Sequence, residues 1–257
     1  MKRDSISNRP AYLSACKLAV EDENVFKQFK RLPAYKAILE HVSQKDGHRY
    51  LDIVKDTAPE LLEKWPRFHE NDLQGNPLVF RYTAGLSSPT TLRYIKVAAD
   101  LKILFGSLDG MDVVEIGCGY GGQSKIICEA FNINSYTYID LPNVVDLIEK
   151  YTGNILADQK RYFIKTDDLN NKIKNKYDLV ISNYAFSECI PKAQNEYIDS
   201  VINKSENGYL TCNFINHIFG LDSLTREQLE EKIIHDMTIT KETPNTFNGN
   251  LVMSWSA

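Results

Sequence analysis

A short apolar run, Val113-Val114, leads into Glu115 and Ile116 and opens into Gly117-Cys118-Gly119-Tyr120-Gly121-Gly122. Glycines spaced this closely leave no Cβ in the turn, so the backbone can bend sharply and a ligand can lie against it. The spacing Gly117-x-Gly119-x-x-Gly122 satisfies the dinucleotide fingerprint, and Asp140 stands where a ribose-binding acid would follow. Two cofactors compete for such a loop, NAD and S-adenosylmethionine. Glu115 separates them: a carboxylate two residues before the first glycine repels a pyrophosphate but suits a ligand with an ammonium group and no phosphate. The loop is therefore read as a seat for S-adenosylmethionine, with S-adenosylhomocysteine as product. The expected contacts are Glu115, Gly117, Gly119, Tyr120, Gly121, Asp140, Leu141 and Asn183. Asp140 would accept both ribose hydroxyls, unless it is a helix N-cap before Leu141-Pro142. Asp167 and Asp168 follow the next strand, where one of them would meet the adenine amino group or both would be solvated loop charges.

Methyl transfer from a sulfonium is an in-line displacement that depends on alignment of the two reactants. An alcohol is a poor nucleophile while it keeps its proton, so a positioned base should take it. Ser182-Asn183-Tyr184-Ala185-Phe186-Ser187-Glu188 ends the fourth strand and should border the methyl group, with Tyr184 and Phe186 as pocket walls. Its bland alternative is a strand-to-helix loop with packed aromatics. The acid-or-amide, double-proline, aromatic pattern of amino-methylating nucleic-acid enzymes is absent there. Glu188 and His217 are the candidate catalytic bases. Arg81, Tyr82 and Arg93 precede the core, where they would reach a cofactor carboxylate or a substrate phosphate, or else solvate and pack. Tyr82 and Arg93 are the substrate candidates among them. The five histidines show no ligand spacing, and although Asp167, Asp168 and Glu188 could hold a hard cation, no metal is expected.

These residues need an α/β scaffold. Strands are expected at 111–116, 135–140, 161–165, 177–182, 208–214, 237–242 and 250–256, with helices at 121–131, 142–151, 191–203 and 224–235 among them. Such alternation gives a mostly parallel sheet covered by helices. The last two strands, joined only by 243–249, should close it as an antiparallel hairpin. Upstream, 12–65 reads as helical, 43–47 as a loop, and 89–105 as a helix feeding the first strand. The turn-rich 70–77 divides a helical N-terminal extension, 1–75, from the cofactor-binding domain, 76–257. That extension would serve as a lid or in substrate or oligomer contacts.

The bulk properties fit. A chain of 257 residues with net charge −4 is no general nucleic-acid binder. No apolar stretch approaches the roughly 20 residues a membrane span needs, and no apolar run follows Met1-Lys2-Arg3 to make a signal peptide. Five scattered cysteines read as free thiols in a reducing cytoplasm. A homo-oligomer is compatible with all of this.

Four strings together resemble the sugar O-methyltransferases that act on antibiotic glycosides and bacterial surface polysaccharides. They are Pro89-Thr90-Thr91-Leu92-Arg93-Tyr94, Val114–Gln123 with its Gly-Tyr-Gly-Gly-Gln form, Tyr138-Ile139-Asp140-Leu141-Pro142, and Ser182–Glu188. The resemblance runs from about residue 76 to the end, where Pro244, Asn250 and Trp255 also match. It implies a seven-stranded class I methyltransferase fold, S-adenosylmethionine as donor and a sugar hydroxyl as acceptor. The expected substrate is a nucleotide-linked sugar destined for a capsule or other surface glycan. The rivals are a non-sugar acceptor, such as an amine or a phosphorylated metabolite, and a cofactor-binding partner protein without catalysis.

Overall fold

The computed structural model describes residues 4–257, apart from the side chain of Asn170; Met1-Lys2-Arg3 lies outside the described residues. The N-terminal third folds as α1 (Pro10–Glu21), α2 (Glu23–Phe26), α3 (Pro33–Lys36), α4 (Gln44–Thr57) and α5 (Trp65–His69), followed by a small hairpin of β1 (Phe80–Tyr82) and β2 (Gly85–Ser87) and by α6 (Pro89–Phe105). The remainder runs β3 (Asp112–Ile116), α7 (Gly122–Ala130), β4 (Ser135–Asp140), α8 (Pro142–Ile155), β5 (Arg161–Lys165), α9 (Leu169–Lys172), β6 (Tyr177–Asn183), α10 (Pro191–Ser200), β7 (Ser205–Cys212), α11 (Arg226–Lys232), β8 (Thr238–Lys241) and β9 (Leu251–Trp255).

The seven strands β3–β9 form one sheet in the order β5-β4-β3-β6-β7-β9-β8. The first five strands are parallel, and β9 runs antiparallel between β7 and β8. Successive residues along a strand point to opposite faces, and the core divides accordingly. Val113, Leu179, Tyr209 and Val252 face the layer that holds α1, α4, α6, α7 and α8. Their neighbours Val114, Val180, Leu210 and Met253 face the other layer, shared with Ile198 of α10 and Leu229 of α11. Thr225 and Gln228 make the capping box their spacing suggests at the start of α11.

One upstream expectation needs correction. Residues 43–47 are not a loop: Ser43 caps α4, its hydroxyl oxygen accepting from the Asp46 N–H at 3.1 Å, and Gly47 lies inside that helix. The turn-rich 70–77 stretch is tied into the fold. The Asp72 carboxylate accepts from Ser87 Oγ, the Ser88 N–H and Oγ, and Thr91 Oγ1, all within 2.7–2.9 Å, and so fixes the start of α6. Asn71 bonds Thr91, Tyr120 and Tyr151, and its carbonyl takes the buried Lys30 ammonium at 2.7 Å. That ammonium lies 4.1 Å from the centre of the Tyr120 ring, inside an aromatic cluster of Phe29, Tyr35, Tyr120 and Tyr151.

Candidate active site

The strand order reverses around β3, and ligands of open α/β sheets bind beyond the carboxyl ends of the strands at such a reversal. Two neighbouring cavities open there, sharing Ser7, Gly117, Asp140 and Ala185. The first, about 260 Å³, extends past β5 along Leu141, Thr166 and Asp167 to Ile190 and Tyr197 near α10. The second, about 510 Å³, runs past Asn183 and Tyr184 at the end of β6 to Glu188 and Asn213, roofed by Tyr12, Leu39 and His41. The second is of a size that suits a small-molecule site.

The loop between β3 and α7 is shaped by close approach. Gly117 has φ +77°, and a Cβ there would overlap Ala185 Cβ; Gly119 has φ +61°, and its Cβ would meet Leu39 at 2.7 Å. Only glycine fits both the left-handed backbone and the gap. Asp140 closes the loop from β4: its carboxylate accepts the Gly119 N–H at 3.1 Å and the Leu141 N–H at 2.7 Å. It is not the N-cap of α8: Leu141 occupies that position, and no N-cap side chain bonds the helix's first turn. Burial pushes the Asp140 carboxyl up to about 6, against the lowering effect of these backbone donors.

Beyond β6 the chain is held tightly. Tyr184 sits at φ +68°, ψ −36°, unusual for a bulky residue. Its N–H bonds the Thr211 carbonyl at 2.8 Å and its hydroxyl donates to Glu242. Glu242 in turn accepts from the Thr246 N–H and Asn250 Nδ2. Asn213 Nδ2 donates to Glu188 Oε1 at 2.6 Å. Burial raises the Glu188 carboxyl above the usual carboxylate range, with the Asn213 bond opposing it. Asn183 Nδ2 is buried beside this cavity with no partner among the described residues.

The sequence-derived candidates thus separate. Gly117, Gly119, Asp140, Leu141, Asp167, Asn183, Tyr184, Arg93 and Glu188 line the cavities or adjoin them through the loop. Others do not. Glu115 is sealed behind the glycine loop, taking the Tyr136 hydroxyl at 2.8 Å, and burial raises it to about 8. Tyr120 is an interior ring of the aromatic cluster, and Gly121 is the N-cap of α7. Phe186 is fully buried in the second core layer rather than walling a pocket. Tyr82 packs on His48 at 4.7 Å, away from both cavities. Asp168 pairs with Lys172 at 2.7 Å, and His217 is exposed on the turn Asn216–Phe219 and lines neither cavity. Sequence reasoning passed over Asn213, which follows β7 directly and could have been flagged by the strand-end rule applied to β6. It also passed over Arg9, Tyr12, Leu39 and His41, which no local pattern marks. Among the described residues no group of three or more His, Cys, Asp or Glu side chains is arranged to hold a metal ion, and no helix is long and apolar enough to cross a membrane.

No family model matches the chain. Over 120 residues it is 32% identical to the ribosomal protein L11 methyltransferase of Thermosipho melanesiensis, covering 46% of this chain and 43% of that protein. The chain therefore spans less than half the length of this curated relative. An S-adenosylmethionine-dependent methyltransferase from Clostridium acetobutylicum superposes with TM-score 0.51 at 11% identity, over 64% of this chain and 91% of the other. Phosphoethanolamine N-methyltransferase 2 of Haemonchus contortus, in complex with S-adenosyl-L-methionine, gives 0.52 at 12%, over 80% and 60% respectively. The parallel sheet closed by the antiparallel β9 and β8, with its glycine loop after β3, is the class I S-adenosylmethionine-dependent methyltransferase fold.

Proposed function

We propose that the protein is an S-adenosylmethionine-dependent methyltransferase whose acceptor is a sugar hydroxyl. The observation that carries this reading is the pair of joined cavities meeting at Gly117 and Asp140. A cofactor fits there: the positive-φ glycine loop lines both cavities at Gly117 and the larger one at Gly119, and Asn183 Nδ2 lacks a hydrogen-bond partner. Asp140 would hold the ribose, Asp167 and Leu141 would border the adenine, and Asn183 would give its free N–H to the amino-acid end. S-adenosylmethionine supplies a methyl group activated on a sulfonium. The acceptor would occupy the larger cavity, whose amides, hydroxyls and carboxylates at Asn213, Asn250, Tyr50, Tyr184 and Glu188 are the groups that bond polyols. Phe219 and Phe247 add apolar surface for the C–H face of a sugar ring. Glu188, raised by burial, is the group to take the acceptor proton as the oxygen attacks, while Asn213 fixes its orientation.

The test is incubation with S-adenosylmethionine and a panel of free, phosphorylated and nucleotide-linked sugars, read by product mass. The expected result is one added methyl group on one class of sugar. With that acceptor, Glu188→Gln should lower kcat by about 10²–10⁴-fold while cofactor affinity stays unchanged. Activity surviving both Glu188→Gln and His217→Ala would favour an amine acceptor instead. Cofactor binding without turnover on any acceptor would leave a non-catalytic binding protein.

A further inference from the structure

The larger cavity contains a buried cation in direct ion-pair contact with no carboxylate among the described residues, although Glu40 and Glu188 lie near enough to feel its charge. Arg93, on the first turns of α6, is 9% exposed and lines this cavity but not the smaller one. Among the described residues its guanidinium makes no hydrogen bond or ion pair, and Nε is a buried donor without a partner. Its guanidinium lies over two ring faces, Tyr94 at 5.6 Å and Tyr184 at 5.9 Å. The nearby Glu40 carboxylate is not paired with it, since Glu40 Oε2 accepts from Thr90 and Oε1 is itself orphaned. A buried guanidinium costs several kcal/mol in lost hydration unless something compensates it, and aromatic faces return only about 0.5–2. A planar fork of unused N–H donors at a cavity wall matches a carboxylate or phosphate in geometry and charge.

The neighbour of Arg93 points to the ligand that brings that anion. Arg93 lies against Tyr184, the residue that follows β6 and donates to Glu242, which also accepts from Asn250; Tyr184, Asn250 and Tyr50 all line the larger cavity. This is the acceptor's side in the reading given above. A second guanidinium, Arg9, stands over the Phe219 ring at 5.0 Å, with Nε bonded to the Ile6 carbonyl, and lines the same cavity. We propose that Arg93 seats an anionic group of the acceptor, so that the substrate is a sugar carrying a phosphate or carboxylate rather than a neutral sugar. The proposal rests on the acceptor site assigned under the proposed function.

Inorganic phosphate is the probe, because it requires no knowledge of the sugar. The full chain, saturated with S-adenosylhomocysteine, is titrated with phosphate at constant ionic strength against a chloride control, and thermal midpoints are recorded. Wild type should be stabilised by millimolar phosphate, Arg93→Lys less so, and Arg93→Met not at all, with S-adenosylhomocysteine affinity within twofold of wild type in all three. An equal phosphate response in wild type and Arg93→Met, or none in wild type, overturns the proposal. So does a tenfold loss of S-adenosylhomocysteine affinity in Arg93→Met that vanishes with a decarboxylated analogue, since that would give Arg93 to the cofactor. If Arg93→Met fails to fold, the wild-type response and the Arg93→Lys comparison still decide. Phosphate binding through Arg93 in a chain that binds no S-adenosylhomocysteine would sink the proposed function and leave the anion seat standing. The reverse pattern would sink the anion seat alone.

Discussion

At the scale of single residues, the two acids flanking the glycine loop should behave in opposite senses with pH. In the proposed role Asp140 would have to be ionised to accept two ribose hydroxyls, yet burial lifts it to about 6. Affinity for S-adenosylhomocysteine should therefore fall about tenfold from pH 7 to pH 5, as the carboxyl gains its proton. A dissociation constant that stays flat across that range by calorimetry would take Asp140 away from the ribose. Glu115 has no ligand to face. It rises to about 8 in the fold from an ordinary value of 4.5, so the folded chain holds a proton that the unfolded chain releases. The stability this proton confers is complete below about 4.5 and is lost as pH climbs toward 8. Glu115→Gln keeps an acceptor for Tyr136 and removes the titration. Its thermal midpoint should exceed that of wild type by several degrees at pH 8 and by little at pH 5; equal gains at both values would show Glu115 to be solvated. The type and spacing of both acids were plain in the sequence. That one lines a cavity and the other a core is set by which way each strand end turns, and no local pattern records it.

At the scale of elements, the sheet was legible because its strands are short β-branched and aromatic runs between glycine-rich or acidic turns, and each found its place. The N-terminal helices were less so, and α4 shows the physical reason. Glycine inside a helix normally costs about 1 kcal/mol against alanine, so Ser43-Gln44-Lys45-Asp46-Gly47 looks like a loop. Here Gly47 makes room: a Cβ on it would overlap the Tyr82 hydroxyl, which is buried without a hydrogen-bond partner. That contact belongs to residues 35 positions apart and leaves no trace in either segment. Gly47→Ala, a change that usually stabilises an exposed helix, should lower the thermal midpoint here. Tyr82→Phe removes the obstructing oxygen, so the double variant should recover the helix gain. A double-mutant cycle from denaturant unfolding should give a coupling of about 1 kcal/mol. Additive effects would mean that Tyr82 moves aside at no cost. Still greater separation in sequence hides part of the site's lining, where Tyr12, Leu39 and His41 reach a cavity shared with Gly117, Asn183 and Asn213, about 75 to 200 residues further on.

At the scale of the whole molecule, the turn-rich 70–77 stretch raises the question of whether 76–257 is a separable unit. Composition favours a boundary, because Asn, Asp, Gly and Pro crowd together there. The structure gives two of those polar residues interior work: Asp72 holds the start of α6, and Asn71 joins Thr91, Tyr120 and Tyr151 through its side chain and Lys30 through its backbone carbonyl. The core is continuous across the same point, with Phe29, Tyr35, Leu51 and Phe68 in one cluster with Tyr120, Tyr151 and Leu179. Each such side chain contributes about 1.5–3 kcal/mol by burial. Losing four would remove an amount comparable to the 5–15 kcal/mol that holds an ordinary domain together. We therefore read the extension as part of that shared core layer as well as a candidate lid. A fragment of residues 76–257 should retain far-ultraviolet circular dichroism but lose a cooperative melt and bind hydrophobic dye, as collapsed chains without fixed packing do. Co-expression with 4–75 should restore a single sharp transition and S-adenosylhomocysteine binding together, because Leu39 and Tyr12 return to the glycine loop along with the missing core. A fragment that melts cooperatively on its own and binds the cofactor as the full chain does would restore the two-domain reading.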